Sequence, residues 1–593
     1  MSYRKASLGD SLFSRRSFIL VILKCLIFLI ITARLFFLQI MRASEYRTLS
    51  DRNKIKFLLL EPKRGLIFDR NNVLLAENKV NYRLFFYKQR NHNFSKILEE
   101  VFLILKLPTE QRKALYNTVG ESNYIYPVVI EENLSWVQVA RIKANLYKLP
   151  GVYVEKGHTR FYSLADICVH AVGYIGAPTS NDIKKYKLFH NKEFKVGKSG
   201  IEKTFDQSFV GQFGDKKVEI NAHRVVVREL SYKRSTAGQD VVSSLDSRLQ
   251  QFVYDSISKD GAAAIVVDAK DGGILSMVST PTFDPNIFTN SISRDKWNKI
   301  ITNKSYPLTN KALGKLYPPG SIWKIIVALA LLREGIDPHK KIYCSGSVDV
   351  GDRVYRCWKK QGHGYVDLNK ALACSCNCYF YEIAPTIGID NIYNTASILG
   401  FGNKIGVELP GELFGINPNK PWKKRVYGED WLVGDTVNAS IGQGYNSVTL
   451  IQLATMMTRL VSGKKIVPSL ILSNENNATA SALNIPEEHL HMVRESLSNV
   501  FNRPYGIGYK LKIPQKELMM GGKTGTAQVI SQDASSMVDR SLRSHSIFAG
   551  FAPIHDPKYV VAVVVDNAGW GTGAAASLGR EILYFAQNST TKV

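Results

Sequence analysis

The sequence predicts an α/β protein that begins with a single transmembrane helix, continues with a mixed α+β module and ends in a domain with a five-stranded antiparallel sheet flanked by helices. The chain has 593 residues, more than the roughly 250–300 at which single cores stop growing, so we expect several domains. One segment alone reaches membrane length. Strand-like runs stand at both ends of the carboxyl-terminal part, with helical patterns between them, which is typical of an α/β domain.

The membrane prediction rests on the apolar segment Phe18–Met41, which is long enough to span the hydrocarbon core as a helix. Lys24 and Arg34 interrupt it, and both lie close enough to an end for their charged groups to reach the interface. The basic residues before the segment place residues 1–17 in the cytoplasm and the rest of the chain outside it. A cleaved signal peptide is the alternative, but the apolar stretch is long and the MRASEY sequence after it is a poor cleavage site.

Residues 42–240 form the predicted amino-terminal module. Arg64–Asn72 reads as an extended segment ending in an Asn-Asn turn, and a helical pattern follows near Ser95–Lys106. The sequence offers no catalytic group of residues in this part. We therefore interpret it as a module for positioning, dimerisation or partner binding.

Residues 241–593 form the predicted second domain. Ala262–Asp268 and Ile274–Ser279 are apolar runs on either side of an Asp-Gly turn, which predicts a hairpin. Strands that return from the far end of the domain would close an antiparallel sheet around this hairpin. Those strand-like runs are Lys523–Ile530, His545–Ala552 and Tyr559–Asp566, and the helical patterns between the two groups include Ser321–Arg333 and Leu450–Val461.

The first candidate catalytic pair is Ser321 and Lys324, at the start of a strongly apolar helical pattern that ends at Gly335. Residues three apart share a helix face, so the two side chains would be neighbours. A serine hydroxyl needs an adjacent base to become a nucleophile, and a lysine in apolar surroundings can have a lowered pKa and act as that base. Taken alone, the pair also fits a serine that caps an ordinary helix.

Two further motifs follow along the chain. Ser375-Cys376-Asn377 is the second, and Lys523-Thr524-Gly525-Thr526 is the third. The Gly-Gly-Lys-Thr string that contains Lys523 is similar to the end of a phosphate-binding loop, but Glu517 stands where that motif needs glycine. A phosphate-binding loop also precedes a helix, whereas this segment has a strand pattern. The sequence therefore excludes a nucleotide site here.

Five of the seven cysteines fall between Cys344 and Cys378. Three thiolates and an imidazole suit tetrahedral zinc by softness and number, although the spacing is not that of a short zinc finger. Cys374 and Cys378 could compete as ligands, and a disulfide such as Cys344–Cys357 or free buried thiols are the alternatives. The four candidate ligands are Cys344, Cys357, His363 and Cys376.

The net charge of +26 comes from 77 Lys+Arg against 51 Asp+Glu. The basic residues are spread along the chain, without an arginine-rich tail or a dense block. We therefore expect no nucleic-acid partner and favour an anionic membrane or an anionic substrate.

The order Ser-x-x-Lys, Ser-x-Asn, Lys-Thr-Gly resembles penicillin-binding proteins and serine β-lactamases. With the anchor and the RGLIFDRNN segment, the chain resembles a class B penicillin-binding protein, and Tyr355–Lys360 with Gly362–Gly364 is similar to the elongation-specific branch of penicillin-binding protein 2. Other matching segments are Gly197–Glu202, Pro410–Glu412, Gly434–Thr436 and Ile441–Gly444.

The resemblance implies a peptidoglycan D,D-transpeptidase with a penicillin-binding, serine β-lactamase-like domain. Ser321 would attack the D-Ala–D-Ala carbonyl of a stem peptide, release D-alanine and pass the acyl group to an amine on a neighbouring stem. β-Lactams would acylate the same serine, and carboxypeptidase activity would accompany the reaction. The division-specific class B enzyme and a weakly catalytic scaffold of the wall-synthesis complex are the alternatives.

The resemblance also implies a role for each motif residue. Lys324 would take the proton of Ser321, Ser375 would relay a proton to the leaving amine, and Asn377 would orient the substrate. Lys523 and Thr524 would bind the terminal carboxylate, and Gly525 would let the substrate approach the strand. The backbone N–H groups of Ser321 and Thr526 would form the oxyanion hole.

Three further expectations come from the resemblance. The acyl transfer itself needs no cofactor, whereas a structural zinc would be held by Cys344, Cys357, His363 and Cys376. The expected location is the bacterial inner membrane, with one span and the catalytic domain in the periplasm. The expected partners are peptidoglycan stem peptides, β-lactams and a glycan polymerase of the SEDS family in the membrane.

Overall fold

The computed structural model describes residues 15–44, 55–88, 93–121, 127–185, 194–220, 226–258, 261–289, 292, 294–472, 480–527, 543–568 and 573–589. These residues belong to two compact units. One contains the residues up to Lys63 together with Gly211–Gly238, and the other contains Arg64–Val210 together with the residues from Gln239 onward. The predicted limits of the cytoplasmic tail, the module and the second domain stay predictions, and most of residues 1–17 lie outside the described part.

The strands are, in chain order, β1 Ile55–Leu60, β2 Ile67–Phe68, β3 Leu74–Phe86, β4 Val128–Glu131, β5 Val152–Tyr162, β6 Ile175–Gly176, β7 Val196–Gly197, β8 Gly214–Ile220, β9 Val226–Lys233, β10 Val241–Val242, β11 Ala262–Asp268, β12 Ile274–Ser279, β13 Ile342–Cys344, β14 Ser347–Val350, β15 Arg353–Arg356, β16 Gly364–Val366, β17 Gly521–Ala527, β18 His545–Ala552 and β19 Tyr559–Val565.

The helices are α1 Arg15–Phe36, α2 Phe94–Leu105, α3 Thr109–Glu121, α4 Trp136–Asn145, α5 Val169–Val172, α6 Ser180–Lys185, α7 Gly200–Thr204, α8 Asp206–Val210, α9 Ser247–Ile257, α10 Arg294–Ile301, α11 Lys311–Gly314, α12 Lys324–Arg333, α13 Leu368–Ala373, α14 Asn377–Ile387, α15 Ile389–Leu399, α16 Lys420–Tyr427, α17 Val433–Ser440, α18 Leu450–Ser462, α19 Glu487–Asn502 and α20 Ala574–Ser589.

The first unit contains the predicted anchor. Helix α1 continues as a π-helical turn to Met41, and the stretch Phe18–Met41 is long and apolar enough to cross a membrane. Its large apolar side chains are exposed along its length, as expected for a helix that faces lipid rather than a protein core. The same unit holds an antiparallel sheet in the order β1-β8-β9.

The amino-terminal part of the second unit is built on the long antiparallel pair β3 and β5, which is extended by β4, β2 and β10. Helices α2 and α4 pack on this sheet through buried residues such as Leu98, Phe102 and Ile142. The helix predicted near Ser95–Lys106 is confirmed as α2. It begins after Asn93, whose side chain accepts the amide of Ser95, and it ends where Lys106 turns left-handed at φ 56°.

A buried ion cluster explains two of the sequence segments in this part. Arg64 donates to Glu202 and to Asp206, both at 2.7 Å, and Arg160 donates to Glu202 at 2.6 Å. Burial works against the Glu202 carboxylate, but Arg160 and Arg64 outweigh it and hold the pKa of Glu202 below its ordinary value. The Arg64–Glu202 ion pair therefore joins the segment Arg64–Asn72 to the segment Gly197–Glu202.

The predicted five-stranded antiparallel sheet is confirmed. Its order is β12-β11-β19-β18-β17, so the first two strands in the chain form the predicted hairpin and the last three return beside it. The strand predicted at Lys523–Ile530 begins two residues earlier, as β17, because Gly521 and Gly522 pair with Phe551 and Gly550. Residues 528–530 lie outside the described part.

Two apolar layers cover this sheet. Ala264 and Val266 of β11 face α9 and α20, whereas Ile265 and Val267 face the other core, which contains α12. Every residue of α12 from Lys324 to Leu332 is buried, which fits a helix that is apolar on all sides. This central helix positions the first candidate catalytic motif, Ser321 and Lys324, against the sheet.

Candidate active site

Ser321 lies in a 3-10 turn, Gly320–Trp323, that leads directly into α12. Lys324 is the first residue of the helix, and its side chain is buried, whereas Ser321 stays partly exposed. The spacing of three residues places both on one face. Ser321 is therefore partly open to a substrate, while the Lys324 amine is removed from water.

The Lys324 ammonium group contacts the second motif. Its Nζ lies 2.6 Å from Asn377 Oδ1, 2.9 Å from the carbonyl oxygen of Ser375 and 3.4 Å from Ser375 Oγ. Burial lowers the pKa of Lys324 to about 8, although the nearby cysteine thiols act in the opposite direction. A lysine with such a pKa is partly neutral near pH 7 and can accept a proton.

Ser375 occupies a strained turn between α13 and α14, with φ at 55°. The indole of Trp358 donates to the carbonyl oxygens of Cys374 and Ser375, at 3.2 and 3.1 Å, and so helps to hold this turn. Sequence reasoning did not assign a role to Trp358. Two signals could have pointed to it: Trp358 follows a candidate metal ligand, Cys357, and lies in the Tyr355–Lys360 segment that carries the family resemblance.

Lys523 reaches the same serine from the sheet. Its Nζ donates to Ser375 Oγ at 2.9 Å, and burial together with the Lys324 ammonium holds the pKa of Lys523 well below its ordinary value. Ser375 Oγ thus lies between two lysines from different elements. Thr524 and Gly525 are buried beside Lys523, and Thr526 is partly exposed at the edge strand β17.

The backbone brings the first and third motifs together. A Cβ atom on Gly320 would lie 2.6 Å from the carbonyl oxygen of Thr526, and one on Gly525 would lie 2.7 Å from that of Pro319. A Cβ atom on Gly442 would lie 2.3 Å from the carbonyl oxygen of Gly320. These approaches leave no space for a side chain, so the glycines fix the distance between the Ser321 turn and β17.

The four candidate metal ligands also lie together. The ligand atoms of Cys344, Cys357, His363 and Cys376 are all within 4.8 Å of one another, and His363 Nδ1 is 3.5 Å from the sulfurs of Cys344 and Cys357. The amide of Asn377 donates to Cys357 Sγ at 3.4 Å. Cys374 and Cys378 are also buried and interact with this group, Cys374 with His363 and Cys378 with Cys344 and Cys357. No disulfide joins any of the seven cysteines, which all lie in the described residues.

This arrangement suits acyl transfer. A partly exposed serine lies three residues before a buried lysine, a second serine hydroxyl lies between that lysine and another, and the edge strand β17 lies next to the turn that holds the first serine. The structure therefore brings the three predicted motifs to one site. Their residues are Ser321, Lys324, Ser375, Asn377, Lys523, Thr524, Gly525 and Thr526.

Comparison with known families agrees with this geometry. Residues 262–584 match the family described as the penicillin binding protein transpeptidase domain. Residues 59–243 match the penicillin-binding protein dimerisation domain. Together the two matches cover most of the chain beyond the anchor.

Similar proteins match along nearly their whole length. A peptidoglycan D,D-transpeptidase MrdA from Acinetobacter baumannii is 33% identical over 96% of this chain and 86% of its own, and one from Escherichia coli K12 is 31% identical over 98% and 95%. A solved structure of penicillin-binding protein 2 (PBP2) in complex with MreC from Helicobacter pylori has a TM-score of 0.80 and 29% identity, covering 91% of this chain and 99% of that one.

Substitution of Gly320 tests the backbone contact. Gly320→Ala places a Cβ atom against Thr526, so we expect β17 to shift and amide hydrogen exchange within Gly521–Ala527 to accelerate at least tenfold. Gly335→Ala is the matched control, because Gly335 also has a positive φ, 69°, but open space around its Cβ position. It should cost about 1–2 kcal/mol of stability and so accelerate exchange in β17 no more than in the buried strand β11, whereas Gly320→Ala should accelerate β17 beyond β11. Equal exchange in the two variants would contradict the packing argument.

Proposed function

Because this chain belongs to the penicillin-binding protein transpeptidase family, we propose that it cross-links peptidoglycan as a D,D-transpeptidase through an acyl-enzyme on Ser321. The observation that carries the proposal is the position of Ser375 Oγ between Lys324 and Lys523, beside the turn that holds Ser321. A serine nucleophile needs a base, and the leaving amine of the substrate needs an acid. In this arrangement Lys324 would be the base, and Ser375 would deliver the proton to the amine.

In the first half of the reaction, Ser321 Oγ attacks the carbonyl carbon of the D-Ala–D-Ala bond. Lys324, in its neutral form, takes the hydroxyl proton. Its two N–H bonds point to Asn377 Oδ1 and the Ser375 carbonyl, which leaves the nitrogen lone pair for that proton. The peptide bond then breaks, and the proton held by Lys324 passes through Ser375 Oγ to the leaving D-alanine amine, which returns Lys324 to its neutral form. The product is an ester on Ser321.

In the second half, an amine on a neighbouring stem peptide attacks the ester carbonyl. It loses a proton through Ser375 and Lys324, and the Ser321 hydroxyl forms again. Water in place of the amine gives a carboxypeptidase product. β-Lactams would enter the same path and stop at the ester.

The remaining motif residues bind the donor peptide. Lys523 and Thr524 would bind its terminal carboxylate, and Gly525 would let its backbone approach the edge of β17. The amides of Ser321 and Thr526 would form the oxyanion hole, a role supported by the close approach of Gly320 to Thr526. The MrdA relatives and the PBP2 structure favour the elongation-specific branch over a division-specific enzyme or a scaffold.

We also propose that α1 anchors the chain in the bacterial inner membrane, with the catalytic site in the periplasm. The apolar span and the basic residues before it support this orientation. A class B enzyme lacks a glycan polymerase domain, so a membrane polymerase of the SEDS family would supply the strands. The solved Helicobacter pylori PBP2 structure is a complex with MreC. This complex supports the proposal that this chain also has a protein partner in wall synthesis, without identifying that partner as a polymerase.

A structural zinc fits the group formed by Cys344, Cys357, His363 and Cys376. Zinc binds sulfur at about 2.3 Å and nitrogen at about 2.0 Å in a tetrahedron, and the close spacing of the four ligand atoms is compatible with it. Bound zinc would hold the Ser375–Asn377 turn in place, because Cys376 lies within that motif. The metal would supply fixed structure, and the acyl transfer would need no cofactor.

Ser321→Ala tests the proposed function directly. We expect the variant to lose covalent labelling by fluorescent penicillin while its melting temperature stays within a few degrees of the original, since Ser321 is partly exposed. Ser258→Ala, at an exposed serine, should label normally. Labelling that persists in Ser321→Ala would refute the nucleophile assignment.

The pH dependence of acylation tests the base. Only neutral Lys324 accepts the proton, and its pKa is lowered to about 8, so penicillin acylation should rise about tenfold between pH 7 and 9 and then level off. Lys324→Arg stays protonated throughout this range and should acylate several orders of magnitude more slowly. Lys370→Arg, at a lysine that donates to Tyr365, should leave the profile unchanged. A flat profile in the unsubstituted protein would require a different base.

Metal analysis of the full-length protein tests the zinc proposal. We expect one zinc per chain, and loss of zinc with lower thermal stability in His363→Ala and Cys376→Ser. Cys168→Ser removes a buried thiol outside the group and should keep the metal. Substoichiometric zinc together with a mapped Cys344–Cys357 disulfide would overturn the proposal.

A further inference from the structure

A cavity of about 680 Å³ opens at one end of the five-stranded sheet, next to the start of β11 and the end of β19. No residue of the three catalytic motifs lines it. Its volume is within the roughly 300–1,000 Å³ typical of sites for small ligands. Four charged side chains lie in its wall: Lys304, Lys311, Lys315 and Asp566. The cavity therefore has a positive excess and is large enough for part of a peptide.

The charges at the base of this cavity do not cancel. Asp566 lies 3.0 Å from Lys311 Nζ and 2.9 Å from Lys315 Nζ, so two cations share one carboxylate. Lys311 is almost fully buried, whereas 36% of the Lys315 side chain is exposed. Lys304, on the exposed wall, adds a further cation. An anionic group that enters the cavity would therefore meet unneutralised positive charge.

Two side chains link the cavity to the catalytic site. Tyr317 donates to Asp566 at 3.2 Å and lies four residues before Ser321. His545 packs edge-on against Tyr317, with ring centroids 5.4 Å apart, and pairs with Ala527 at the end of β17. Asp566 follows β19, two strand spacings or about 10 Å from β17. The cavity is therefore near the catalytic site but separate from it.

We propose that this cavity binds carboxylates of the acceptor stem peptide, the second substrate of the cross-linking reaction. The inference rests on the proposed function. The donor carboxylate is already assigned to Lys523 and Thr524, and the reaction needs a second anionic peptide whose amine reaches Ser321. An extended peptide covers about 3.3 Å per residue, so three or four residues span the 10 Å between the cavity and β17.

The donor peptide is the competing source of the same chemistry, since its upstream part also carries carboxylates. The two sources differ kinetically. A donor site affects how fast the acyl-enzyme forms, whereas an acceptor site affects only how the acyl-enzyme divides between amine and water.

The test uses full-length protein in detergent, a thioester donor ending in D-alanine and, as acceptor, the disaccharide-tetrapeptide monomer released from bacterial wall. The variants are Lys304→Glu and Lys315→Gln. Lys299→Glu is the matched control, because it makes the same charge change as Lys304→Glu on exposed helix α10, outside the cavity. Penicillin acylation of each variant reports the donor side and the fold.

We expect acylation by penicillin and hydrolysis of the donor to stay within twofold in all three variants. The acceptor concentration for half-maximal cross-linking should rise about tenfold in Lys304→Glu and Lys315→Gln and stay unchanged in Lys299→Glu. Protein blocked with penicillin should still bind the monomer in solution, more weakly in Lys304→Glu.

Three outcomes would overturn the proposal. If the cavity variants slow acylation but leave the acceptor concentration for half-maximal cross-linking unchanged, the cavity binds the donor peptide. Unchanged cross-linking and monomer binding in both cavity variants would show that no stem peptide binds there. If the unsubstituted protein is not labelled by penicillin, the proposed function itself is wrong, and the acceptor-site proposal that rests on it is wrong as well.

Discussion

The candidate active site depends on two buried lysines whose amines both lie within hydrogen-bond distance of one serine hydroxyl. Lys324 and Lys523 come from the central helix and the edge strand, and both lie within hydrogen-bond distance of Ser375 Oγ. Two ammonium groups in a region of low dielectric repel each other and lose their hydration, so the site favours a state in which at least one amine is neutral. Burial thus favours a neutral amine, which is the base that the proposed serine nucleophile would require. The apolar helix α12 and the covered sheet create the region of low dielectric in which the two lysine amines lie.

A second constraint is the absence of side chains at three backbone positions. Gly320, Gly442 and Gly525 each face another backbone segment at a distance that excludes a Cβ atom. They bring together the Ser321 turn, the segment after α17 and the strand β17, which are far apart in the chain. The oxyanion hole proposed for Ser321 and Thr526 would need this spacing to hold to a fraction of an ångström, and backbone contact is more rigid than contact through flexible side chains.

The sequence predicted the features that arise from local pattern. The apolar segment Phe18–Met41, the hairpin around β11 and β12 and the returning strands each have a periodicity or composition that one stretch of chain reveals. The motifs identified the candidate catalytic residues because each motif lies on a single element, with fixed spacing. Contacts between distant segments were not predictable in this way. The Arg64–Glu202 pair, the role of Trp358 and the cavity around Asp566 depend on tertiary packing, which has no local signature.

The cysteine group and the catalytic site meet at Asn377. Its backbone amide donates to Cys357 Sγ, while its side-chain oxygen lies 2.6 Å from Lys324 Nζ. The residue before it, Cys376, belongs to the group of four candidate ligands, and the residue before that is Ser375. Any displacement of the sulfur atoms would therefore move the oxygen that orients Lys324 and the hydroxyl shared by both lysines. Ser375 has a φ of 55°, so the turn that contains it is strained and must be held by its surroundings. A metal bound to Cys376 would hold this turn, which explains why a buried metal site would lie inside a catalytic motif.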